Sequence, residues 1–300
     1  RQLVLPTAGA IGGVAIPAAI YAALNWQDPV ALKGWAVPTA TDIAFALGVL
    51  AAVGSRVPVA LKVFLMTLAI LDDLIAIVII ALVYTSGLSV TSLAAGAAVL
   101  ALMTILKLCG IRTTTPYIML GAALWVCVLK SGVHATLAGV ATAFFISAAP
   151  TAEHPESPLK ALLDDLHPWV AFFILPMFAF VNAGIALEGL KLSSLLDPVP
   201  LGIALGLLLG KPIGVMACVG LAIVTGLARL PQGVTWLHLF GVALLCGVGF
   251  TMSLFVGGLA FAEGGAGYAR IDRLGVLVGS GLSAVAGFAV LRLAVGRSST

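Results

Sequence analysis

"AILDDLIAIVII", residues 69–80, sets two adjacent aspartates, Asp72 and Asp73, inside an otherwise apolar run. A charged side chain at the centre of a bilayer costs about 3 kcal/mol on insertion scales. The run extends over roughly 58–83, long enough to cross a hydrocarbon core, which takes about 20 residues as a helix. The rest of the chain has the same character. Of its 300 residues, 61% are hydrophobic and 9% charged, with a mean hydropathy of +1.19. A soluble domain carries roughly 25% charged residues, so no water-soluble surface can be built from this composition. The fold class is an all-α polytopic membrane protein. The apolar runs are continuous rather than alternating, which selects helices over a barrel.

About ten spans are expected, near 4–24, 36–53, 58–83, 90–109, 114–130, 132–149, 160–186, 199–222, 237–260 and 273–293. No basic-start signal peptide stands at the front. The chain opens on Arg1 and is expected to come from within a longer protein. Cys109, Cys127, Cys218 and Cys246 lie scattered without CxxC spacing, so they read as small buried hydrophobes and not as a metal or redox site. The basic residues fall nine on one side (Arg1, Arg56, Lys62, Lys107, Arg112, Lys160, Arg229, Arg292, Arg297) and five on the other (Lys33, Lys130, Lys191, Arg270, Arg273). The positive-inside rule then predicts both ends of this chain to be cytoplasmic. No nucleic-acid partner is expected; the partner is the lipid bilayer.

Two spans are poor helices. In "WAVPTATDIAFALG", Pro38 cannot donate a helix hydrogen bond, and Thr41 and Asp42 prefer caps to interiors. In "LLCGVGFTMS", Gly247 and Gly249 weaken the helix at mid-depth. Each interrupted span has a neighbour on either side. Such triplets predict inverted repeats whose broken helices cross at the bilayer midplane, where transporters place their sites. A single membrane domain over 1–300 is thus expected to comprise a first repeat (1–85), intermediate helices (86–198) and a second, inverted repeat (199–300).

Asp42, Asp72, Asp73 and Lys211 are the charges at mid-span. Three acids against one base leave an excess that protons, a bound cation, or each in turn can meet. On a helix, Asp72 and Asp73 point about 100° apart, so they are not equivalent ligands. Carboxylates suit small hard cations; one of the two can line an aqueous cavity while the other meets a neighbouring helix. Asp42 has two open roles, support of a half-helix N-terminus or direct ligation. Thr41 offers an oxygen. Lys211 follows Gly202, Gly206 and Gly210 and precedes Gly214, a small-residue stripe that lets another helix approach closely. "GKP" is no phosphate loop, since Pro212 stands where Ser or Thr is needed. His134, His167, Asp164 and Asp165 are candidates for a pH response, with a solvated or interfacial role as the plainer alternative.

"PTATDIAFALGVL", "AILDDLIAIVIIAL", "LKSGVHATLAGV", "LHPWVAFFILPMFAFVNAG", "GLLLGKPIG" and "CGVGFTMSLFV" together resemble the NhaA-type bacterial sodium/proton antiporters. NhaA is itself one of the transporters from which the inverted-repeat rule is drawn, so the repeat argument and the resemblance are not independent. The resemblance implies a twelve-helix protein of the bacterial inner membrane, of which this chain matches the third to twelfth helices, and a homodimer contact that draws on the hairpin between the first two. It implies Asp73 as the principal ion- and proton-binding aspartate, Asp72 as its essential neighbour, Lys211 as the intramembrane lysine paired with Asp72, Thr41 and Asp42 as the broken-helix pair, and His134 as a residue linked to pH response. Where the family has an acidic residue in its pH-sensing cluster before "HPW", this chain has Leu163. The implied activity is electrogenic exchange of Na⁺ or Li⁺ for H⁺, serving pH and sodium homeostasis, with no enzyme activity and no cofactor. A sodium-coupled symporter or a cation channel of related fold is the alternative. An intramembrane aspartyl protease is disfavoured: there is no GxGD motif, and adjacent acids on one helix do not form a facing dyad.

Overall fold

The computed structural model describes residues 3–54, 57–84, 88–150, 156–184, 192–262 and 267–297. Arg1, Arg56 and Lys191 of the orientation argument lie outside the described residues, as do the side chains of Arg270 and Arg297. Among the described residues the chain is helical throughout, without strands. The helices are α1 (Val4–Asn25), α2 (Pro29–Leu32), α3 (Ile43–Val53), α4 (Val59–Val83), α5 (Val90–Leu108), α6 (Thr114–Lys130), α7 (Thr136–Phe145), α8 (Pro158–Trp169), α9 (Leu175–Asn182), α10 (Pro198–Leu205), α11 (Lys211–Val224), α12 (Trp236–Leu245), α13 (Phe250–Ala260) and α14 (Tyr268–Arg297). Six continuous helical stretches among the described residues are long and apolar enough to cross a membrane, and two bent pairs bring the number to 8. The protein is a multi-pass membrane protein.

The span expected at 132–149 is shorter than predicted, because only Thr136–Phe145 is helical. Gly132 adopts a positive φ of 82°, and Ile146 turns extended at ψ 136°. At 1.5 Å per residue such a helix spans about 15 Å, half a hydrocarbon core.

The chain divides into two compact units, Arg1–Ala76 with Phe178–Thr300, and Ile77–Met177. The core of the first unit gathers Leu50, Leu65, Leu68, Val215, Val219, Val242 and Leu245. Its tightest seam runs between α1 and the α10–α11 stretch. A Cβ on Gly202 would meet Tyr21 and Asn25, one on Gly206 would meet Pro38, one on Gly210 would meet Pro17, and one on Gly214 would meet the Gly12 backbone. The glycine stripe is therefore the face that admits α1. The second unit holds a smaller cluster around Met103, Tyr117 and Ile146. Large apolar side chains such as Phe172, Phe180 and Val224 stand exposed, as lipid-facing residues do where the solvent is as apolar as the side chain.

The first interruption has three parts. Asp28 accepts from Val30 N and Ala31 N and starts α2, with Pro29 at its first position. Lys33–Thr39 then tightens to a 3₁₀ helix containing Pro38. Ala40 and Asp42 are extended, and α3 begins at Ile43. Pro38 thus lies within the 3₁₀ turn before the break and not at it. The two arms are bent by 42°. The second interruption separates α12 from α13 at Gly247–Gly249, with a bend of 45°.

Candidate functional site

The two interruptions meet. Asp42 N donates to Val248 O at 2.6 Å, Thr41 Oγ1 lies 2.8 Å from Cys246 O, and Ser253 Oγ donates to Val37 O at 2.8 Å. Each unwound stretch therefore supplies partners for backbone groups that the other has left without a helical one, as the hydrocarbon depth of a membrane requires.

Asp42 occupies the crossing. Its Oδ1 accepts from Phe45 N at 3.0 Å, capping α3. Its Oδ2 accepts from Thr251 N at 3.0 Å and from the Thr251 hydroxyl, capping α13. One carboxylate closes two half-helix N-termini, whose dipoles favour a negative charge there. Both of its oxygens thus accept hydrogen bonds from half-helix N-termini.

Asp72 lies on α4 and is fully shielded from solvent, as is Lys211. The Lys211 ammonium donates to Asp72 Oδ2, and Thr41 Oγ1 lies 2.8 Å from the same oxygen. Asp73 is half-buried. Asp72 Oδ1 and Asp73 Oδ1 have no hydrogen-bond partner among the described residues. Buried acceptors of this kind are costly unless something occupies them.

A local irregularity presents Lys211. Gly206–Gly210 forms a π-helical turn, and Lys211 N–H donates to Gly206 O, five residues back. Pro212 has no N–H to give, so the regular ladder lacks a donor at this point. The sequence places Pro212 after Lys211 but gives no sign of the π turn.

When ionised, Asp42, Asp72 and Asp73 carry three negative charges against one positive charge on Lys211. The N-terminal ends of α3 and α13 add about half a positive charge each, and the C-terminal ends at Thr39 and Leu245, which reach the same crossing, about half a negative charge each. The dipole contributions cancel, and an acidic excess is left for cations or protons to meet.

Three polar residues of the crossing were not singled out from the sequence. Thr251 binds Asp42, Ser253 ties α13 to Val37, and Ser280 Oγ on α14 accepts from Gly249 N at 3.2 Å and Phe250 N at 3.1 Å. Ser280 and Ser283 stand three apart in "GSGLSAVAG", one face of a helix; two hydroxyls on one face of an apolar span were the available signal.

The pH-response candidates belong to the other unit. His134 lies in the turn before α7, half-buried, with Nδ1 3.0 Å from Thr136 Oγ1. Burial holds its imidazole below the usual histidine value. Asp164, Asp165 and His167 are exposed on α8.

Residues 1–291 match the family model described as Na⁺/H⁺ antiporter 1. The chain belongs to the Na⁺/H⁺ antiporter 1 family. Among similar members of this family, a Pseudomonas fluorescens (strain Pf-5) protein named Na(+)/H(+) antiporter NhaA is 57% identical over 299 residues, covering 100% of this chain and 75% of that protein. The Pseudomonas putida (strain KT2440) Na(+)/H(+) antiporter NhaA 1 is 55% identical, covering 99% of this chain and 75% of its own length. The Salmonella typhimurium (strain LT2) Na(+)/H(+) antiporter NhaA is 55% identical, with 97% and 75% covered. Membership in the Na⁺/H⁺ antiporter 1 family makes the chain a transporter of the membrane, and the crossed interruptions with their buried acids are its candidate transport site.

Proposed function

We propose that the chain exchanges Na⁺ for H⁺ across the membrane, with Li⁺ as a substitute ion, through competition for the carboxylates of Asp73 and Asp72. The observation that carries this reading is the pair of buried carboxylate oxygens, Asp72 Oδ1 and Asp73 Oδ1, without partners among the described residues. They belong to a site whose three acids outnumber its one base. Asp73 has no lysine on it and takes the ion. Asp72, tied to Lys211 and Thr41, contributes its second oxygen. With the site open to a side of low proton activity, Asp73 is ionised and binds Na⁺. On the other side protons displace the ion, and the protonated site returns. An empty site with its excess negative charge is expensive to carry through lipid, so only loaded forms cross, and coupling follows without a second site. A second proton, carried by Asp72 or by Lys211, makes the exchange electrogenic.

In this reading 1–85 and 199–300 act as inverted halves of the transport core, and 86–198 supplies the remaining helices. The protein resides in a bacterial inner membrane with both ends of the chain cytoplasmic, serves pH and sodium homeostasis, assembles as a homodimer and carries out no catalysis. The identities to antiporters support the exchange, and the distribution of basic residues supports the placement of the two ends.

Na⁺-dependent dequenching of a pH-sensitive dye in proteoliposomes tests the site. Asp73→Asn is expected to abolish the signal while the protein remains folded. Exchange at the wild-type rate in that variant would remove Asp73 from the mechanism. Na⁺ flux that persists without a counter-gradient of protons would point to a channel or symporter instead.

A further inference from the structure

His238 is a buried titratable group that the exchange mechanism does not use. It stands in the first turn of α12 and is 2% exposed. Its Nδ1 accepts from Thr235 N at 3.3 Å and lies 2.8 Å from Thr235 Oγ1, while Thr235 Oγ1 accepts from His238 N at 3.3 Å. These bonds close a capping box at the start of α12. A backbone N–H can only donate, so the box needs an unprotonated Nδ1. The network therefore assigns the hydrogen of the neutral ring to Nε2. Nε2 is itself buried, with no partner among the described residues.

Three circumstances oppose a proton on this ring. A hydrogen on Nδ1 turns the Thr235 hydroxyl bond around and leaves Thr235 N–H without its acceptor. The added charge lands at a helix N-terminus, where the dipole is already positive. No carboxylate faces it, and a buried charge without a partner is costly. α12 packs chiefly on α14, α11 and α3. α3 has no titratable side chain. α11 carries Cys218 and, at its start, Lys211, which is held with Asp72 at the Cys246 end of α12. On α14, Tyr268, Asp272 and Arg273 lie at the opposite end from Leu291, which packs on Gly241. Arg292, next to Leu291, is exposed and stacks on Phe288. The loop before α12 brings Arg229, also exposed.

α12 is a rod of only 10 residues, about 15 Å long. Just beyond its other end, Val248 O accepts from Asp42 N and Cys246 O lies 2.8 Å from Thr41 Oγ1. A displacement of the first turn is therefore carried to the crossing.

We propose that His238 is an acid-sensitive latch on α12: the neutral ring seats the half-helix, and protonation unseats it and slows transport. Its effect on transport rests on the exchange reading above; the seating of α12 does not.

Nitrogen NMR of the full chain in detergent reads the ring directly, with histidine labelled and with His134, His154 and His167 replaced by Gln so that only His238 remains. At about pH 8 it is expected to show the neutral Nε2–H tautomer; the Nδ1–H tautomer overturns the proposal. His238→Gln keeps a side chain that can reach back in a capping box and does not titrate. The box is complete where the ring is neutral and is lost as pH falls. From about pH 8 to about pH 5, across the ordinary histidine value, the unfolding midpoint of wild type is expected to fall further than that of His238→Gln. A gap between the two midpoints that does not change with pH overturns the proposal as well. Over the same range wild type is expected to lose about five-fold more exchange activity than His238→Gln, the scale of one lost helix cap. Equal losses would sever the latch from transport and overturn it. Absence of exchange in wild type at the higher pH would refute the exchange reading instead, and the tautomer and the midpoints would still decide for or against the latch.

Discussion

Lys211 and Asp72 form an ion pair in which both side chains are fully removed from solvent, joining residues 139 apart in the chain. Neither charge has a cheap alternative at this depth. Removing one partner from a buried pair costs about 3–5 kcal/mol because the other charge is stranded, whereas replacing both with uncharged groups is often close to neutral.

Lys211→Ala is therefore expected to lower the thermal unfolding midpoint in detergent sharply. The double variant Asp72→Asn, Lys211→Met should regain most of that loss. A double variant as unstable as Lys211→Ala would mean that the lysine stabilises through packing and not through the pair.

Asp42 serves two helix ends. Loss of an N-cap costs about 1 kcal/mol, so Asp42→Ala should destabilise by roughly twice that. Asp42→Asn keeps one acceptor oxygen and should fall between. Thr251→Val, which leaves the α3 cap in place, should cost less than Asp42→Ala. Unfolding midpoints for the three variants check the order, and equal losses for Thr251→Val and Asp42→Ala would contradict a double cap.

The α1–α11 seam predicts a contrast between two glycines. A Cβ on Gly214 would run into the Gly12 backbone, which cannot move aside as a side chain can, while one on Gly48 would meet nothing within 4 Å. Gly214→Ala should yield little monodisperse protein by size-exclusion chromatography. Gly48→Ala should behave as wild type or gain up to about 1 kcal/mol from helix propensity. A well-behaved Gly214→Ala would show that the seam can open.

The Asp28–Tyr268 contact predicts a pH dependence. The folded state holds Asp28 below its ordinary value, with the Tyr268 hydroxyl the largest cause. As pH falls, the unfolded chain takes up this proton first. The stabilisation is thus complete above about pH 4, the unfolded value, and is lost as pH drops through the lower folded value. Tyr268→Phe should be less stable than wild type at pH 7, and the difference should narrow at pH 3. A difference in unfolding midpoint that does not change with pH would show that the contact does not act through the carboxylate charge.

The helices and their order were legible in the sequence, because lipid demands long apolar runs and punishes every exception. That demand made Asp42, Asp72, Asp73 and Lys211 conspicuous, and it flagged the stretches about Thr41 and Gly247–Gly249 as poor helices. Local chemistry also made Asp42 a candidate cap, since Asp prefers helix starts to interiors; the cap at Asp28 was not read from the sequence. The span expected at 132–149 came out shorter where a left-handed glycine ended regular structure in an otherwise apolar stretch, while the last helix ran beyond the expected 273–293 at both ends.

Tertiary structure decided which groups meet. Two carboxylates of the same type, one residue apart, diverge only because Lys211 and Thr41 reach Asp72 from other helices. Asp42, left by the sequence with two open roles, has its second oxygen bonded by Thr251, more than 200 residues away. The π turn before Lys211 has no local signature in the sequence. The sequence by itself determined what had to be buried at a cost; long-range packing determined what offsets that cost.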